Sequence, residues 1–253
     1  MIDTHCHLSD PRLLDQIDDV MQRAAAAGVS EVVTIGTEPS DWRPAIDVAR
    51  KYSNVRCAIG VHPCYCHRVD FTQLSNLREM QKDKSVVALG EMGLDFFHAD
   101  APRDMQEKFF IAQLEMAAEL DRPVVIHSRN AIDACLDVMK SFPKIPAVCH
   151  CFTGNKGEAQ RIVEQGYCIG FTGVVTFKNA PELREIAATM PAEQILVETD
   201  APWLSPEPIR KQKVNEPALV MHTAAAVAAA RGITLAEIDR ITTENARRLY
   251  RWK

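Results

Sequence analysis

The sequence predicts a single (β/α)8 TIM barrel with two extra C-terminal helices, and three observations predict it. Short β-branched or apolar runs recur at intervals of roughly 25 to 35 residues, each followed by a helical pattern, as in parallel βα units. The length of 253 residues suits one such barrel, so residues 1–253 are expected to form one domain. Histidine and acidic side chains fall at the C-terminal ends of several of these runs, where barrels of this kind carry their active sites.

In order, the expected strands are IDTHCH at 2–7, EVVTIG at 31–36, VRCAIG at 55–60, VVALGE at 86–91, PVVIH at 123–127, AVCH at 147–150, YCIGF at 167–171 and QILVE at 194–198. Helices are expected between them at 11–27, 40–51, 71–82, 103–120, 131–141, 156–165 and 180–190. After the eighth strand the chain passes through Pro202, Pro206, Pro208 and Pro217, which disfavour a helix until that stretch is over. Two Ala-rich helices, 217–230 and 235–250, then complete the chain, their small side chains allowing close approach to the barrel. There is no internal repeat or low-complexity tract.

Composition is that of a globular protein, with 47% apolar and 25% charged residues. A net charge of -5 supplies no global positive field to attract nucleic acid or an anionic membrane. A polyanionic substrate would therefore need local positive charge, bound metal included. The opening MIDTHCH already reads as a strand without a leader-like pattern, so a cytoplasmic protein with no membrane association is expected, most simply a monomer. The eight cysteines are expected as reduced thiols. Cys64, Cys66 and His67 form the only compact thiol cluster, and no structural zinc is expected there, because such sites are usually closed by two paired motifs.

His5, His7, Glu91, His127, His150 and Asp200 lie at or just beyond strand ends that meet at one mouth of a barrel. Alternation along a strand turns His5 and His7 inward together and sends Cys6 toward the helices, and the same rule turns Cys149 and Cys151 away from His150. Any one histidine here could be a hydrogen-bonded core residue. Six such groups at one end would leave several buried polar groups unpaired, at roughly 1–3 kcal/mol each, unless a cation satisfies them. A metal centre is expected, and its mixed imidazole and carboxylate ligands accept Zn, Mn, Ni, Co or Mg.

The motifs DTHCHL from Asp3, GVHP from Gly60, GEMGLDF from Gly90 with IHSR from Ile126, HCFTG from His150 and ETDAPWL from Glu198 resemble, over the whole chain, the TatD family of metal-dependent deoxyribonucleases. The resemblance implies two divalent ions, one on His5, His7 and Asp200, the other on His127 and His150, with Glu91 bridging. It also places His62 and Arg129 beside the substrate phosphate. Asn215, Glu216 and Pro217 resemble the family's NxP segment, and where basic or glycine residues are expected before it the chain reads Gln212, Lys213 and Val214, a departure that leaves a phosphate grip from this loop open.

The implied activity is phosphodiester hydrolysis in DNA, 3'-5' on a single strand, by a water activated at the metal centre, with RNA in place of DNA and endonucleolytic cleavage left as alternatives. Asp200 and Glu91 are the catalytic candidates, with Asp200 as the base; Glu198 is expected deeper in the barrel, and Thr199 is expected to point outward. Trp203 is expected to stack on a base. Arg103, Arg129, Lys156, Lys178, Arg210, Lys211 and Lys213 are expected to form a basic rim. A binuclear centre can also hydrolyse an ester or amide, as in a D-aminoacyl-tRNA deacylase, and an inactive metal-stabilised scaffold is a third reading. Glu91, where carbamylated-lysine amidohydrolases carry a lysine, favours the phosphodiesterase branch.

Overall fold

A computed structural model describes residues 1–98 and 100–252. Eight strands pair in parallel in strict chain order: β1 (Ile2–Cys6), β2 (Glu31–Gly36), β3 (Val55–Ile59), β4 (Val86–Asp95), β5 (Val124–Arg129), β6 (Ala147–Cys149), β7 (Cys168–Phe171) and β8 (Ile195–Val197). Around them lie α1 (Pro11–Leu14), α2 (Ile17–Ala26), α3 (Pro39–Lys51), α4 (Gln73–Met80), α5 (Arg103–Glu119), α6 (Ile132–Met139), α7 (Lys156–Glu164) and α8 (Pro181–Thr189), followed by α9 (Val220–Arg231) and α10 (Leu235–Tyr250). This is the expected barrel. The seam between β8 and β1 is closed largely by the chain just past β8: Asp200 N donates to His5 O at 2.9 Å and His7 N to Ala201 O at 2.7 Å. Deeper in the seam, Thr4 Oγ1 donates to Val197 O at 3.1 Å.

Alternation sorts the strand side chains into two apolar layers. Val33, Ile35, Ala58, Ala88, Val125, Val148, Cys168 and Leu196 fill the barrel interior with Ile2, while Val32, Cys57, Val124, Ile126, Cys149, Ile169 and Val197 pack under the helices. From α10 and the residues after it, Ala246, Leu249, Tyr250 and Trp252 join the interior layer. Tyr250 Oη also donates to Thr4 O at 3.3 Å, so the last helix is tied to the first strand. Among the described residues no single helix is long and apolar enough to cross a membrane.

Three elements depart from expectation. The helix expected at 11–27 is broken between Leu14 and Ile17, although Leu13, Ile17, Val20 and Met21 are all buried, so the helical spacing of the buried residues carries no mark of the break. The 63–68 segment forms an unforeseen 3-10 turn capped by the His62 ring, whose Nδ1 accepts from Cys64 N at 3.1 Å. Lastly, β4 continues past Glu91 to Asp95. A Cβ at Gly93 would stand 2.0 Å from His127 O, so only glycine lets β4 run this close to β5.

Candidate metal centre

The six expected ligands meet at the C-terminal mouth, although strict alternation alone would not have brought all of them there. Ile2 lies in the inner layer and Cys6, four residues on, in the outer one, so the parity of β1 changes between them. The pairing with β2 shifts in this same stretch, between Asp3 and Cys6, and the shift brings His5 and His7 inward. A second shift, between Leu89 and Met92 on β4, accompanies the inward turn of Glu91. Asp200 comes to the mouth beyond β8 in a left-handed conformation, φ 56°, unusual for a residue other than glycine.

His5 Nε2 is 3.3 Å from His7 Nε2, 3.6 Å from Asp200 Oδ1 and 3.5 Å from Glu91 Oε2, and His7 Nε2 is 3.4 Å from Asp200 Oδ1. A tetrahedral ion with bonds of about 2.0–2.2 Å needs ligand atoms about 3.3–3.6 Å apart, so these spacings suit a shared cation. The other oxygen of Glu91 faces a second group: His150 Nε2 at 2.6 Å, His127 Nδ1 at 2.8 Å and His62 Nε2 at 3.3 Å. His5 and His150 stack with ring centroids 3.9 Å apart, and the buried Nδ1 atoms of both lack a hydrogen-bond partner. The imidazole nitrogens that face the two carboxylates, Nε2 of His5, His7 and His150 and Nδ1 of His127, suit divalent metal.

Charge follows this geometry. Burial would raise the Glu91 carboxyl, but His150, His62 and His127 hold it well below its usual range. Burial likewise opposes ionisation of Asp200, and its bond to His7 overcomes that. His150 is raised against its burial by Glu91, and His7 by Asp200. Burial and His127 lower His62 to about 4, leaving a neutral ring whose Nδ1 lone pair is taken by Cys64 N and whose Nε2–H faces Glu91.

Among the described residues, three metal-capable groups are built on the expected ligands: His5, His7 and Asp200; His5, Glu91 and His150; and His62, Glu91 and His127, the ligand atoms of each lying within 4.8 Å of one another. His150 thus stands between the two halves, and the His62 ring lies against Glu91 and His127. A residue beyond the predicted set also belongs here. Asp95, buried at the end of β4, accepts from His127 Nε2 at 3.0 Å, which leaves His127 Nδ1 to face Glu91. The sequence signal was the D of GEMGLDF, obscured because β4 had been expected to stop at Glu91. Glu198 lies below, as expected. It accepts from Cys151 N at 2.6 Å, and Gly170 makes room for it, since a Cβ there would lie 2.4 Å from Glu198 Oε2.

The mouth opens into a cleft of about 800 Å³ lined by His7, His62, Glu91, His127, His150, Asp200, Arg129 and Trp203 among others. Arg129 is exposed, its guanidinium 5.2 Å from the Phe97 ring. Trp203 meets His7 edge-on at 4.9 Å and carries Arg12 on its face.

Two expectations are corrected. Cys6 and Cys149 pack in the outer layer, but Cys151 lines the cleft, because β6 ends at Cys149 and Cys151 then takes φ 46°, outside strand alternation. The basic rim is not at the cleft either. Of its residues only Arg129 lines it, while Lys156 pairs with Glu185 at 2.5 Å and Arg103 and Arg210 lie over Phe96 and Phe177. The lining instead includes Asp10, Glu38, Asp41, Asp95 and Asp100. Thr199 is turned away as expected, its Oγ1 donating to Asp3 Oδ2 at 2.6 Å.

A family model described as TatD related DNase matches residues 2–251. The chain belongs to the TatD family of metal-dependent hydrolases. It is 34% identical over 255 residues to an uncharacterized metal-dependent hydrolase of Bacillus subtilis, covering 99% of both chains. It is 35% identical over 257 residues to a protein of Erwinia tasmaniensis named a 3'-5' ssDNA/RNA exonuclease, again covering 99% of each. The crystal structure of a TatD homolog from Escherichia coli superposes with a TM-score of 0.95 at 30% identity, covering 100% of this chain and 98% of that one.

Proposed function

We propose that this TatD-family chain is a nuclease that cleaves phosphodiester bonds in single-stranded DNA, and in RNA, from the 3' end, with two divalent ions at the mouth of the barrel. The observation that carries this reading is the division of Glu91, with Oε2 turned to His5 and Oε1 to His127, His150 and His62. One ion would be held by His5, His7 and Asp200, the other by His127 and His150, with Glu91 shared and His62 adjoining the second. Such ions, when bound, acidify water and neutralise the charge that builds on a phosphoryl group.

The chain's own residues supply the rest. Asp200 is held ionised by His7 and reaches the cleft, so it takes the proton of the attacking water, whereas Glu198 is fully buried beneath the site. Asp95 fixes the His127 ring by accepting from Nε2. Arg129 is the one lysine or arginine among the described residues lining the cleft and would bind a phosphate; the exposed Trp203 offers an indole to a base. Because the cleft otherwise carries carboxylates, a polyanion would be repelled from the metal-free protein.

The test strips metal by chelation and restores Zn, Mn, Mg, Ni or Co singly, then assays end-labelled single-stranded DNA, duplex DNA, single-stranded RNA and an aminoacyl-tRNA. Stepwise shortening of the single strands from the 3' end, absent after chelation, is the expected result. Ester hydrolysis of the aminoacyl-tRNA with no phosphodiester cleavage under any metal would transfer the centre to the deacylase reading.

A further inference from the structure

On the cleft wall beside the centre, Asp95 Oδ2 is approached by three groups at once: His98 Nδ1 at 2.9 Å, His127 Nε2 at 3.0 Å and Cys64 Sγ at 3.4 Å. Its other oxygen is fully engaged, accepting from Phe97 N at 2.9 Å and His98 N at 2.7 Å, so the carboxylate is fixed in orientation. Cys64, Asp95 and His98 offer a thiol, a carboxylate and an imidazole whose ligand atoms lie within 4.8 Å of one another. All three line the cleft.

We propose that Cys64, Asp95 and His98 form a separate site for a thiophilic divalent cation such as zinc, distinct from the centre built on Glu91. Zinc bonds of about 2.3 Å to sulfur and 2.0 Å to oxygen put tetrahedral ligands about 3.5 Å apart, close to the Sγ to Oδ2 separation observed. Burial and Asp95 push the Cys64 thiol up to about 12, so the metal-free protein keeps Cys64 protonated and donating to Asp95. Binding replaces that proton, which leaves to solvent as the Sγ–metal bond forms, with no change of oxidation state. Three protein ligands on a cleft wall leave the fourth position to water or to an anionic group of whatever occupies the cleft. The neighbouring Cys66 and His67 take no part: Cys66 Sγ donates to His62 O, and His67 is exposed.

The site is separable from the main centre because it alone contains sulfur. Cobalt(II) loaded into the metal-stripped protein should give a thiolate-to-cobalt charge-transfer band in the near ultraviolet, which nitrogen and oxygen ligands do not produce. Cys64→Ser and His98→Ala should each abolish the band and lower bound cobalt by one equivalent per chain while the main centre stays loaded. Cys151→Ser, at the only other cysteine lining the cleft among the described residues, should keep the band. His98 is exposed, so its variant reports on binding rather than folding. No band in the wild type, or a band and full stoichiometry surviving in Cys64→Ser, would overturn the proposal.

Discussion

The two ends of the barrel are made by the same eight strands and obey different rules. At the N-terminal end the inward positions are apolar, with one register shift where β3 meets β4 between Cys57 and Ala58: Val33, Ala58, Val125, Val148 and Leu196 face in and meet Leu249, Tyr250 and Trp252 from the last helix and the residues after it. At the C-terminal end the register shifts on β1 and β4, Asp200 and Cys151 take positive φ, and two buried imidazole nitrogens lack partners. One end is built for burial, where any apolar side chain of similar volume would serve. The other keeps conformations and unpaired groups that cost stability, and its polar side chains converge at one place.

That contrast is most sharply tested by Glu91→Gln. The change keeps the shape of the side chain and removes the charge shared by both halves of the mouth, so bound metal should fall and nuclease rate should drop by more than the roughly 10–100-fold that outer-sphere changes cost. Metal analysis alongside the end-labelled assay checks both, and a variant with full metal and full rate would deny Glu91 its bridging place. The opposite end should respond in the opposite currency. Leu249→Ala should lower unfolding stability by about 2–5 kcal/mol in a denaturant titration while leaving metal content and rate per folded molecule unchanged. If activity fell in proportion to stability, the two ends would not be independent.

Asp95→Asn probes the mouth one step further out. Losing the acceptor for His127 Nε2 should cost roughly 10–100-fold in nuclease rate, less than Glu91→Gln, and an unchanged rate would remove Asp95 from the centre. Arg129→Ala should be the mildest. Metal content should stay intact and KM rise about tenfold, equivalent to about 1.4 kcal/mol, with kcat little altered. An equal loss in kcat would show that Arg129 acts on the transition state rather than on phosphate binding.

The same contrast explains what could be read from the sequence. The eight strands and their order were legible because hydrophobic runs and their spacing reflect burial, and the gathering of His5, His7, Glu91, His127, His150 and Asp200 followed from strand ends sharing one mouth. What escaped lies where backbone geometry departs from the repeat. Alternation carried past Cys149 would turn Cys151 outward, but β6 ends at Cys149 and the repeat ends with it. Asp95 is not legible because β4 runs on through Gly93, whose close approach to β5 is invisible in one dimension. The basic rim failed because proximity in sequence to a strand end says nothing of whether a lysine pairs elsewhere, as Lys156 does with Glu185.

The seam of the barrel ties assembly order to chemistry. His5 O accepts from Asp200 N, His7 N donates to Ala201 O, and both imidazoles face the Asp200 carboxylate, so the contacts that close the cylinder are made by the residues of the first metal group. During synthesis, nearly two hundred residues must emerge before Asp200 can meet His5, and α10, which ties down the base of β1, follows later still. A nascent chain can therefore hold separate histidines but not this constellation. The gathering of these six side chains is therefore complete only once the chain just past β8 has emerged, and a truncation anywhere before Asp200 lacks it.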